Sequence, residues 1–324
     1  MARRSMNAKI QPAVMKMNFV ATTSGTGPNY FHIDISQAAS ILNRRFYRQG
    51  LNWAVAGIKI LTEQGASGSV SVNKLPNTWV MSNAWEKGFR AWQRQQKETL
   101  EDGTEESVKA KYNDFKIFAN PAHLIAGVNR NLLPISARDP AGGPYTANDG
   151  EWEMSQVVVP NYGTPGNNWE PYITAVGDYI TSGPDQCISL IKAYESSRST
   201  PQSPDPATPA SVTNTNNVWR ALFDVGDNNE DVLQNVVGKN DELPYPQVEY
   251  PGGSTQLPSL EIHDTEYVTT TTIGGTTELD GGNFPCGLME VGTFGFADES
   301  DIAIELTLVP GKHRGYLAES MTEM

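Results

Sequence analysis

Ile302-Ala-Ile-Glu-Leu-Thr-Leu-Val309 alternates large apolar residues with small or polar ones. Successive side chains of a strand point to opposite faces, so this stretch predicts a β-strand with one dry face. Working backward, Met289–Phe294, the β-branched run from Tyr267 to Ile273 and Ser259–Ile262 read as further strands. Asn29–Ser36, Asn52–Leu61 and Ser67–Val72 do the same in the leading part, with Gly65 and Gly68 punctuating a turn. Phe115–Phe118, Gln156–Val159, Tyr172–Val176 and Ile188–Ile191 are shorter candidates between Gly, Pro and Asn clusters.

Two helices interrupt this texture. Ser36 to Gln49 carries Ala38, Leu42 and Phe46 on neighbouring turns, with Gly50 as its stop. After Pro76, Asn83 and Glu86 have the spacing of a capping box. Trp85, Phe89 and Trp92 then form one apolar stripe, which at helical spacing reads as core. A further short helical pattern spans Val218 to Val237. Eight or more short strands joined by long loops predict an all-β fold, a two-sheet antiparallel sandwich or jelly roll with a few inserted helices. No fixed-period repeat or regular β–α alternation points to a solenoid or a parallel α/β fold.

The 324 residues suffice for one large domain without staples. The expected division is a flexible basic arm over 1–20, a sandwich over 21–195 and 259–324, and an exposed region over 196–258, whose first part is rich in Ser, Thr, Pro and Asn. Cys187 and Cys286 are far apart and fit neither a disulfide framework nor a paired-ligand metal site. No stretch is long and apolar enough to cross a bilayer, and the basic start lacks the apolar run of a signal peptide.

Charge is unevenly placed. Residues 1–140 hold 18 Lys+Arg against 10 Asp+Glu, a net of +8, which leaves 6 against 27, or −21, for the rest. The candidate nucleic-acid-facing residues are Arg3, Arg4, Lys9 and Lys16 of the arm with Arg44, Arg45 and Arg48. The last three contact phosphates, pair with acids of a neighbouring subunit, or form ordinary surface ion pairs. Arg90 and Arg94 add a second basic ridge with the same alternatives.

The chain carries no nucleophile elbow, phosphate loop or dinucleotide glycine signature, so no enzymatic role, metal or cofactor is expected. Glu261, His263, Asp264 and Glu266 read as a solvated strand face, and Asp224, Asp227, Glu230 and Asp231 miss the pattern of a Ca²⁺ loop. Trp152, Tyr162 and Trp169, in Gly/Asn-rich loops, offer a second reading: a carbohydrate-binding or adhesive sandwich, such as a phage tail component.

Ile33-Asp-Ile-Ser-Gln-Ala-Ala-Ser-Ile-Leu-Asn-Arg-Arg-Phe-Tyr-Arg-Gln-Gly50 with Trp53–Leu61 resembles the leading part of capsid proteins from small circular single-stranded DNA viruses, the environmental and marine type. Lys74-Leu-Pro-Asn-Thr-Trp79, Asn83-Ala-Trp-Glu-Lys87 and the closing Leu308-Val-Pro-Gly-Lys-His-Arg-Gly-Tyr316 add to the likeness, which covers about a quarter of the chain. The resemblance implies a single jelly roll, icosahedral self-assembly in a virion, packaged single-stranded DNA, and a host-cell receptor as an outer partner. The arm departs from the family's strongly basic form, which leaves many phosphates to be balanced by cations or by the inner sheet surface.

Overall fold

The computed structural model describes residues 11–102, 114–138, 144–159, 166, 168–199, 259–271 and 275–324. In chain order its strands are β1 (Lys16–Thr22), β2 (Asn29–Asp34), β3 (Leu51–Leu61), β4 (Gly68–Lys74), β5 (Ile135–Arg138), β6 (Pro144–Thr146), β7 (Tyr172–Thr174), β8 (Cys187–Ser189), β9 (Glu261–Val268), β10 (Thr276–Phe284), β11 (Leu288–Phe294), β12 (Asp301–Leu308), β13 (Pro310–Gly311), β14 (Gly315–Tyr316) and β15 (Ala318–Ser320). The α-helices among the described residues are α1 (Ile35–Asn43), α2 (Trp79–Asp102), α3 (Pro121–Ala126) and α4 (Leu190–Ser199).

Eight strands build two antiparallel sheets, with strand orders β1-β12-β3-β10 and β2-β11-β4-β9; β15 extends the first beside β3. The pairs nest: β4 with β9, β3 with β10, β2 with β11, β1 with β12. Period-two patterning decides which face of each strand turns inward. Ile302, Ile304, Leu306 and Leu308 of β12 are buried while the residues between them are not, as the alternation predicts. They meet Phe19, Trp53, Ile58 and Ile60 of the same sheet and Ile33, Val70, Val72, Met289 and Val291 of the facing one. The expectation of an all-β sandwich with few helices thus describes the architecture.

The described residues between 75 and 260 form an insertion between β4 and β9, which are neighbours in one sheet of the sandwich. Its described parts gather a second apolar core around Trp85, Trp92, Phe115, Ile117, Ile173 and Leu190, which meets the sandwich at Leu288 of β11. Phe115–Phe118 and Gln156–Val159 form only isolated bridges, and Ile188–Ile191 passes from β8 into α4. Residues 200–258, with the expected helical pattern at Val218–Val237, lie outside the described residues.

Both sequence-read helices have different limits. The α2 helix starts at Trp79, because the Thr78 hydroxyl accepts from Met81 N–H at 3.4 Å and the Thr78 carbonyl from Ser82 N–H at 3.1 Å. Asn83 is therefore an exposed residue within the helix, and the capping box does not form. The aromatic stripe is core, with Trp85 stacked on Phe89 at 5.1 Å and both against Phe115. The α1 helix stops at Asn43, since Arg44 is left-handed (φ 53°) and the buried Tyr47 and Gln49 turn inward instead of continuing the spiral.

A buried polar seam joins the insertion to the outer face of the second sheet. His32 and Glu290 touch at 3.1 Å, and Asn73 donates to the same carboxylate at 2.8 Å. Burial raises the Glu290 carboxyl, but the hydrogen bonds from His32 and Asn73 outweigh it and hold the group below the usual value. His123 of α3 stacks on His32 at 4.3 Å, accepts from Ala119 N–H through Nδ1 and so donates through Nε2 to Asn131 at 2.8 Å. Burial and the His32 neighbour keep His123 neutral, with a pKa lowered to about 3.

Candidate nucleic-acid interface

The chain leaves α1 at Arg44 and turns back at Gln49, presenting Arg44, Arg45, Phe46 and Arg48 outward between them. Several bonds fix this short loop. Ser40 Oγ accepts from Tyr47 N–H at 2.9 Å, and the Gln49 amide bridges Asp34 and the Ile117 backbone at 2.7–3.0 Å. Asp34 is the organising group. One carboxylate oxygen caps α1 through Ser36 and Gln37, and the other accepts from Gln49 Nε2 at 3.0 Å and Trp152 Nε1 at 3.1 Å.

Burial pushes the Asp34 carboxyl up to about 6, against the opposing pull of these four donors. An unfolded aspartate titrates near 3.8, so between the two values the folded chain binds more protons than the unfolded one. Stability from this group is complete below pH 3.8 and is lost as pH rises through 6, on the order of 3 kcal/mol at ~1.4 kcal/mol per unit. Replacing Asp34 by Asn is expected to flatten the pH dependence of the urea midpoint across that window; parallel profiles for both proteins would contradict it.

The hairpin of β13 and β14 abuts the loop. Arg314 Nη1 donates to the Phe46 carbonyl at 2.6 Å, and the Tyr47 hydroxyl donates to the Arg314 carbonyl at 3.0 Å. Lys312 and Arg314 are both exposed, so two loops distant in sequence put five cations on one surface. None of the five forms an ion pair with a described acid. His313 is held below its ordinary value by burial and by the Arg314 charge. The segment preceding β1 reaches the same place: Arg45 donates to Gln11 Oε1 at 3.1 Å, and Val14 N–H to Asn43 Oδ1 at 3.0 Å.

The sequence-predicted residues divide accordingly. Arg44, Arg45 and Arg48 are together and exposed. Arg3, Arg4 and Lys9 lie outside the described residues. Lys16, assigned to the arm, is the first residue of β1 and pairs with Glu305 at 2.7 Å, so residues 16–20 are sheet. Arg90 and Arg94 are paired along α2 with Glu86 and Glu98, which reduces that ridge as an anion surface. Lys312 and Arg314 were missed, although they are two of only six cations in the acidic part of the chain.

The other clusters weighed have structural roles or fall outside the described residues. His263 contacts the Asp280 carbonyl at 3.1 Å, and Asp264 accepts from Asp280 N–H at 2.8 Å, so this group stitches β9 to β10. Among the described residues no three His, Cys, Asp or Glu side chains converge as metal ligands. Asp224, Asp227, Glu230, Asp231 and Tyr162 are outside the described residues. Trp152 and Trp169 are 8% and 7% exposed, so neither offers a ring face to a sugar. Cys187 and Cys286 are free and buried. No described helix is long and apolar enough to cross a membrane. Comparison with protein-family models, with curated proteins and with solved structures gives no match.

Proposed function

We propose that this chain is the coat subunit of a small single-stranded DNA virus, folded as a single jelly roll and assembling with copies of itself into an icosahedral shell. The observation that carries the reading is the nested strand order, β1-β12-β3-β10 facing β2-β11-β4-β9, combined with an unpaired basic surface where the leading segment reaches the sandwich. Nested antiparallel pairs rolled into two sheets are the plan of the jelly roll, which serves viral shells and also lectins and cupins. Fold alone therefore does not choose among these roles. The basic surface favours a polyanion as the partner and a structural role over catalysis.

In this reading the arm with Arg44, Arg45 and Arg48 faces packaged DNA, and Lys312 and Arg314 extend that surface. Neighbouring copies bury the uncovered half of the second sheet's outer face, where Tyr30, Phe294 and Tyr267 are 58%, 59% and 75% exposed. Apolar surface of this kind marks an interaction site in a folded protein. The insertion occupies the other half of that face and is the part available to an outer receptor. Expression of the chain followed by negative-stain electron microscopy and light scattering is expected to give closed particles of uniform size. A monomer that persists across salt and pH would overturn the proposal.

A further inference from the structure

Phe46 is an aromatic residue that a helix at Ser36–Gln49 would have turned inward; it is 46% exposed instead. Its position is fixed from behind. The Trp152 ring lies 6.1 Å away, tilted by 53°, and Trp152 is itself held by Asp34. The Lys116 ammonium, paired with Asp114, stands 4.6 Å from the Trp152 centroid and 5.7 Å from that of Phe46. Arg314 secures the Phe46 carbonyl. A half-open ring is thus presented from a rigid mount, flanked along the chain by Arg45 and Arg48 and across the hairpin by Arg314.

Cations alone attract any nucleic acid, because they read the phosphate backbone. An exposed aromatic among them adds selectivity. The bases of a duplex already stack on one another, whereas a single strand has free base faces, and stacking on an aromatic side chain is largely indifferent to which base it is. We propose that Phe46 is the stacking platform for one base of a single strand, while Arg44, Arg45, Arg48, Lys312 and Arg314 hold the phosphates on either side. The inference rests on the coat-subunit reading for the origin of the strand, and it specifies how a packaged genome is recognised as single-stranded.

The test is fluorescence anisotropy of the full chain with a labelled oligothymidine and with a duplex of equal length, alongside imaging of the particles. Phe46→Leu, which keeps an apolar contact with Trp152 but has no ring, is expected to weaken single-strand binding about 10-fold or more. Duplex affinity and the salt slope should stay unchanged, and Phe46→Tyr should bind as the parent does. Thermal midpoints of both variants verify folding. Single-strand affinity unchanged in a folded Phe46→Leu, or an equal loss toward duplex, overturns the stacking role and leaves the basic interface standing. A parent chain that forms shells, yet binds neither DNA once those shells are dissociated into subunits, overturns the stacking role and the DNA-facing assignment together.

Discussion

Arg44→Ala, Arg45→Ala and Arg48→Ala combined are expected to lower single-stranded DNA affinity about 100-fold at 0.1 M salt. The estimate follows from counterion release. Each phosphate neutralised on a single strand contributes about −0.7 to the slope of log K against log salt, so three contacts contribute about −2. Two decades at 0.1 M is the corresponding affinity. All three side chains are exposed and without acidic partners among the described residues, so removing them leaves no buried charge and little change in stability. Filter binding over a salt series checks both numbers. A slope unchanged in the triple variant would mean that these arginines do not meet phosphate, and particles of that variant filled with nucleic acid to the parental level would carry the same message.

Trp53→Ala is expected to cost 3–5 kcal/mol of folding stability, on the scale of large-to-small substitutions in well-packed cores. The indole is fully buried, touches Tyr47 at 5.9 Å and Tyr316 at 5.4 Å between ring centroids, and donates to Ser36 Oγ at 3.1 Å. Tyr47 and Tyr316 carry the basic loop and the hairpin on their far sides, through bonds to Arg314 and to Asn43. The cavity therefore opens beneath the exposed basic loop and hairpin as well as in the sandwich. Equilibrium urea unfolding gives the magnitude, and Trp53→Phe, which keeps most of the packing, should lose roughly half as much. A midpoint within experimental error of the parent would show that this part of the core collapses to fill the space.

The sequence carried the strands that obey period two and little of how they pair. β3, β4, β11 and β12 are legible because each puts apolar residues on a regular spacing. β10 is not, since Gly281-Gly282 in its middle has the composition of a turn. Those glycines answer a tertiary demand: a Cβ at Gly281 would lie 2.4 Å from the backbone oxygens of Val55 and Ala56. β1 was hidden for another reason, as Lys16–Thr22 joins a basic segment and its register partners, Asp301–Thr307, stand at the other end of the chain. Its pairing is set by the dry faces of β12 and β3, which no local window contains.

The site was half legible. The arginines after α1 stood out as a charge cluster, but helical periodicity assigned Phe46 to an apolar stripe. Asp34 overrides that periodicity by drawing Gln49 and Trp152 to itself, and so opens the loop and turns Phe46 outward. Lys312 and Arg314 could be joined to the cluster only through the fold, which carries the hairpin across to the Phe46 carbonyl.

β12 lies between β1 and β3, so its position bears on synthesis as well as on form. A nascent chain that has emerged only as far as residue 300 holds β1 and β3 with a vacant lane between them, and such unpaired rims invite pairing with other molecules. Only when residues 301–308 leave the ribosome can that lane fill, by pairing Lys16–Thr22 with Asp301–Thr307 across a long stretch of chain, an order of events that makes folding slow. Products that stop before residue 301 therefore lack a finished first sheet, which ties closure of the fold to translation of the message through β12.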